Sequence, residues 1–238
     1  MANTDAYNPP MTLGDKLWSQ TALEGGRSAL IKKTYLLLAL SVASGLAGGF
    51  IGAHSPAIVH LFSGWLGWVL AMVALNVIPP IALAARHDPV LGVAALAGDG
   101  FVSGLVLAPI LHLASVVAPD VVPAALLLTA IGFAAVTGYV LTTDQVFSAP
   151  RGLMTGIFFS IVGVIVLNGL LNVGILSIVI AGAIGTFGVF VLIHATSEVL
   201  HNPELDSPLP GALLLFAGLF NIFVAALNIL LRVASSEE

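Results

Sequence analysis

The chain has 238 residues, of which 58% are hydrophobic and only 8% charged, with a formal net charge of −5 and no cysteine. A soluble domain carries roughly 25% charged residues, so this sequence cannot build a water-facing surface, and lipid must cover most of its outside. The acidic balance excludes a nucleic-acid partner, and the missing cysteines exclude disulfides, thiolate metal sites and thiol nucleophiles.

Residues 1–28 are polar, with Pro, Gly and both signs of charge. They lack the apolar core of a signal peptide and read as a flexible or weakly helical cytoplasmic tail. Seven apolar segments follow, at about 29–53, 58–84, 90–117, 121–141, 152–171, 175–193 and 211–233. Each is a continuous run of about 20 residues without period-two alternation, which predicts transmembrane helices and not strands. Turn residues separate them: His54-Ser55-Pro56, Arg86-His87-Asp88-Pro89, Pro119-Asp120, Ser148-Ala149-Pro150, Asn172 and the stretch 201–210. The break at Asn172 is weak, so six helices, one of them long and broken, is the alternative. The expected architecture is an all-α polytopic membrane bundle over 29–233 with a short periplasmic end at 234–238.

Orientation follows from the basic residues. Lys16, Arg27, Lys32, Lys33, Arg86 and Arg151 fall on one side of an alternating seven-span path, and Arg232 falls opposite. The positive-inside rule then makes the N-terminus cytoplasmic and the C-terminus periplasmic.

Small residues recur every fourth position in the first span (Ser41, Gly45, Gly49, Ala53) and the fourth (Ala130, Ala134, Gly138). Ala181, Gly182, Gly185 and Gly188 make a similar set in the sixth. Such stripes let helix backbones approach closely, and packing inside one bundle is the plainer reading than a dimer seam. Pro109, inside the third span, predicts a kink.

Polar residues within spans carry the most information, because each costs free energy in hydrocarbon. Asp99 lies near the middle of the third span, where an aspartate costs about 2.5–3.5 kcal/mol on insertion scales. It should face the bundle interior, as a proton- or cation-responsive site or as a neutral, hydrogen-bonded packing residue. His194 and Glu198, four apart at the end of span six, could form a charge-assisted pair, although an interfacial polar cap accounts for them as well. Asn168, Asn221 and Asn228 are expected to bond between helices. His60 and His112 read as interfacial. The histidines look scattered, no metal cluster or cofactor motif emerges, and no enzyme signature is present.

Four stretches together resemble the Bax inhibitor family of seven-helix membrane proteins. They are Leu30-Ile31-Lys32-Lys33-Thr34-Tyr35-Leu36-Leu37-Leu38, Gly104-Leu105-Val106-Leu107-Ala108-Pro109-Ile110-Leu111, Gly138-Tyr139-Val140-Leu141-Thr142-Thr143-Asp144, and the run from Asn221 to Leu230. Thr196-Ser197 and Asn221-Ile222-Phe223-Val224 are most similar to the bacterial YccA-like branch. The resemblance implies a non-enzymatic protein that binds the membrane-anchored AAA protease FtsH and restrains its degradation of membrane proteins. It also brings in a pH-sensitive calcium leak, attributed in the family to two aspartates on the last two helices. Ala195 and Gly218 stand at those positions here and cannot carry charge, so the leak becomes the alternative, with Asp99 as a partial substitute. An accessory subunit of a larger membrane complex is a further alternative.

Overall fold

The computed structural model describes residues 13–86, 88–143, 145–149, 151–171 and 174–236. These form helices α1 (Leu13–Ala53), α2 (Pro56–Phe62), α3 (Gly64–Ala84), α4 (Pro89–Val106), α5 (Ala108–Val117), α6 (Val121–Thr142), α7 (Arg151–Leu171), α8 (Gly174–His201) and α9 (Pro208–Ser235). Proline and short polar residues mark most of the starts. Pro89 opens α4 behind Asp88, whose carboxylate accepts from the Val90 and Leu91 amides at 2.9 and 3.0 Å. Ser207 caps α9 in the same way ahead of Pro208.

Two expected boundaries move. The segment 58–84 is broken: Ser63 is extended and Gly64 takes a φ of +74°, so a seven-residue α2 turns into α3. A left-handed φ suits glycine because it lacks the β-carbon that would clash there. The third span is one helix pair, α4 and α5, bent by 50° at Leu107. Pro109, in the first turn of α5, cannot donate to the preceding turn, which is the cause of the expected kink.

Among the described residues, five helices are long and apolar enough to cross a membrane, and six when the bent pair counts as one span. That count is near the expected seven without equalling it; α7 is 21 residues long, with Met154–Val166 as its shorter apolar stretch. The alternative of one long broken helix does not hold. Residues 152–161 of α7 share a groove with 183–190 of α8 in antiparallel order, and Asn168 bonds Ser177 at 2.8 Å. Asn172 and Val173 themselves lie outside the described residues.

The tail is also more ordered than expected. Residues 1–12 lie outside the described residues, but α1 runs unbroken for 41 residues from Leu13. At 1.5 Å per residue that is about 60 Å, against a hydrocarbon thickness of about 30 Å. Its apolar part is Gly25–Ala53, so the first turns project beyond the membrane.

Inside the bundle, α9 packs on α8, α6, α1, α4 and α3 and contributes to all three core clusters. The largest cluster joins Leu38 of α1, Val136 and Val140 of α6, Leu192, Ala195 and Val199 of α8, and Leu215 and Phe216 of α9. Large apolar side chains such as Leu36, Phe50, Trp65, Leu127 and Phe159 point outward, as lipid contact requires. The molecule is an all-α, multi-pass membrane bundle.

Candidate functional site

The small-residue stripes decide how the interior is built. On α1 and α4 they are consumed by direct backbone contact. A β-carbon added to Gly48 would stand 2.1 Å from the Phe101 carbonyl oxygen, and one on Gly100 would stand 2.3 Å from that of Ser41. Side chains have no room at this seam. Gly185 and Gly188 of α8 serve the same purpose against Ala225 and Asn221 of α9. The α6 stripe does otherwise: Ala130, Ala134 and Gly138 are all exposed, so they take no part in packing the bundle. A surface stripe and a seam stripe have the same four-residue spacing, which is why the sequence does not distinguish them.

Asp99 sits one residue before the α1–α4 seam and is 5% exposed. It shares the buried face of α4 with Gly92, Leu96 and Ser103, spaced by three and four residues. The interior placement expected of it is observed. At the two positions where the family resemblance would place aspartates, the bundle is closed: Ala195 is fully buried, and a β-carbon on Gly218 would lie 3.0 Å from both the amide nitrogen and Cβ of Leu192. The missing acids are replaced by a tight α8–α9 contact, which leaves no space for a carboxylate there.

His194 and Glu198 are not paired with each other. The His194 Nδ1 donates to the Phe147 carbonyl at 3.0 Å, while the Phe147 amide donates to Ser197 Oγ at 2.9 Å. Together they staple the extended stretch after α6 onto the end of α8. The Glu198 carboxylate accepts from the Asn202 side-chain amide, the Asn202 carbonyl accepts from Arg27 at 2.8 Å, and its side-chain oxygen receives the Glu204 amide. The guanidinium of α1 thus neutralises carbonyl charge at the C-terminus of α8. Ser207 Oγ donates to the Arg86 carbonyl. One end of the bundle therefore gathers the start of the α1 span, the turn at Arg86, the stretch after α6 and the loop before α9. Serine 197 and Asn202 were not singled out as site residues in the sequence; their partners lie 50 and 175 residues away.

Of the three asparagines, Asn168 bridges two helices through Ser177. Asn221 and Asn228 instead donate to the carbonyls of Ala217 and Val224, four residues back in α9, at 2.9 and 2.8 Å. In a helix the i−4 carbonyl is always within reach, so a long amide need not look for a neighbour. Asn221 still meets α8 through its Cβ, which abuts Gly188. The buried hydroxyls of Tyr35, Thr137 and Thr196 find no hydrogen-bond partner among the described residues. No group of three His, Asp or Glu side chains among those residues is placed to hold one metal ion.

Comparison with known proteins agrees with this architecture. The family model described as inhibitor of apoptosis-promoting Bax1 matches residues 27–235. The Escherichia coli protein named modulator of FtsH protease YccA is 30% identical over 84% of this chain and 89% of its own length. Uncharacterised proteins of Campylobacter jejuni (27% identical over 92% of this chain and 97% of theirs) and Pseudomonas aeruginosa (26% over 85% and 88%) are also similar. With a match spanning nearly the whole helical region, the chain belongs to the Bax inhibitor family.

Proposed function

We propose that this protein is a non-enzymatic regulator in the bacterial inner membrane that binds an FtsH-type membrane protease and moderates its activity. The observation that carries the reading is the 41-residue α1, whose first turns continue the membrane span outward as a rigid helix. A membrane-anchored AAA protease engages substrates and modulators at their protruding ends, and this helix is the one long element that leaves the bundle among the described residues. The name of the Escherichia coli relative supports the choice of partner. The clustering of Arg27 and Arg86 at the end from which α1 projects supports a cytoplasmic N-terminus.

Affinity purification from native membranes tests the reading. Tagged full-length protein should bring down the protease, and a variant lacking residues 2–24, which keeps Arg27 and the apolar span, should lose it while keeping its melting transition. Failure of the full-length protein to capture the protease sinks the proposal.

The burial of Asp99 supports a second reading, a cation leak gated through the α4 interior. The closed packing at Ala195 and Gly218 weighs against it.

A further inference from the structure

At the end of the bundle opposite the stapled loops, a cavity of about 520 Å³ opens between the end of α1, α2 and α5. Its polar lining consists of His54, His60, His112, Ser63 and Ser115. The sequence scatters these residues over 62 positions, yet three imidazoles and two hydroxyls meet here.

The hydrogen bonds at the rim fix what the cavity can recognise. Nδ1 of His54 lies 2.8 Å from the Phe50 carbonyl oxygen, and Nδ1 of His112 lies 3.0 Å from that of Ala53. A carbonyl only accepts, so each Nδ1 carries the proton. A neutral imidazole has one N–H, which leaves Nε2 with a lone pair. The Ser63 hydroxyl donates to the Val59 carbonyl at 2.5 Å, and that of Ser115 to the His112 carbonyl at 2.7 Å. A hydroxyl has one proton, so both serine oxygens also keep only lone pairs. The His54 ring is held in place by Phe50, with centroids 4.4 Å apart. Four of the five polar side chains can therefore only accept from a guest.

No carboxylate, lysine or arginine lines the cavity. The helices around it bring no other titratable group near: α2 holds only His60, α5 only His112, α3 none, and those of α1 lie toward its other end. An anion would find acceptors facing it. A single metal ion would need three ligands at one point, and no such group exists among the described residues. The volume matches a small organic group, and the spread of acceptors matches a guest with several N–H donors and one positive charge.

We propose that this cavity binds a primary ammonium group, carried by a lipid headgroup at the membrane surface or by a free amine. The exposed Leu61, Trp65 and Leu66 beside it are placed to meet lipid.

The test uses full-length protein in nanodiscs containing phosphatidylethanolamine or phosphatidylcholine, whose headgroups share a charge but differ in N–H donors. Native mass spectrometry counts the retained lipid, and calorimetry with ethanolamine in phosphatidylcholine nanodiscs reads the free amine. The expected preference for phosphatidylethanolamine is about fivefold or more, the worth of one net hydrogen bond. It disappears in the His54→Leu/His112→Leu double variant. If that variant does not fold, Ser63→Ala/Ser115→Ala should reduce the preference without disturbing the helices. Ethanolamine binding without lipid enrichment assigns the site to free amines. Equal retention of the two lipids together with silent calorimetry overturns the proposal, as does a preference that survives in both variants.

Discussion

Gly104 of α4 and Gly45 of α1 touch backbone to backbone: a β-carbon on Gly104 would stand 2.0 Å from the Gly45 carbonyl oxygen and 2.6 Å from the Gly49 nitrogen. Without a hydrophobic drive between helices in lipid, such contact supplies the dispersion energy that holds α1 and α4 together. Asp99 occupies the same stretch of α4, so this seam also fixes where the buried acid can face.

Gly104→Ala should therefore push the two helices apart and cost about 1–3 kcal/mol, the usual penalty for overpacking. Gly138→Ala, on the open face of α6, should be neutral or slightly stabilising, since alanine is the better helix former. Thermal unfolding in detergent compares the two, and equal melting temperatures would disprove the assignment of the seam.

Ser197→Ala leaves the Phe147 amide without its partner in a half-buried position. The expected loss is about 1–3 kcal/mol, and it should be local. Amide hydrogen exchange should accelerate in the stretch after α6 while α9 stays protected. His194→Phe, which removes the second bond of the staple, should act on the same amides.

Gly218→Asp tests why the acids implied by the family resemblance are absent. The new side chain meets Leu192 at the α8–α9 contact, so the variant should be destabilised by about 1–3 kcal/mol. Adding Leu192→Ala should not restore the loss, because alanine keeps the amide nitrogen, Cα and Cβ that the new β-carbon meets. Chemical unfolding that finds Gly218→Asp as stable as the unaltered protein would show that the contact has room for a carboxylate.

Asp99→Asn keeps the shape of the buried side chain and removes its charge. For a regulatory protein, calcium flux from liposomes should equal that of empty vesicles for both wild type and variant, at acidic and at neutral pH. Protease capture from membranes should also be unchanged. A pH-dependent flux that vanishes in the variant would reverse the order of the two functional readings.

Composition alone determined the membrane class, and long apolar runs bounded by proline and polar caps determined most helices, because lipid forces every backbone group into internal hydrogen bonds. The kink at Pro109 and the burial of Asp99 followed from the same local chemistry. Other features were decided by tertiary structure. The break at Gly64 depends on one dihedral angle. The separate partners of His194 and Glu198 depend on which groups lie nearest in space, whereas Asn221 and Asn228 bond the i−4 carbonyls of their own helix. Whether a glycine stripe forms a seam, as at Gly45 and Gly104, or faces outward, as at Gly138, depends on which helix lies across from it. The histidine-lined cavity is the clearest case, since its residues share no motif and come together only where α1, α2 and α5 meet. Spacing along a chain records which face of a helix a residue occupies, and only packing determines what that face meets.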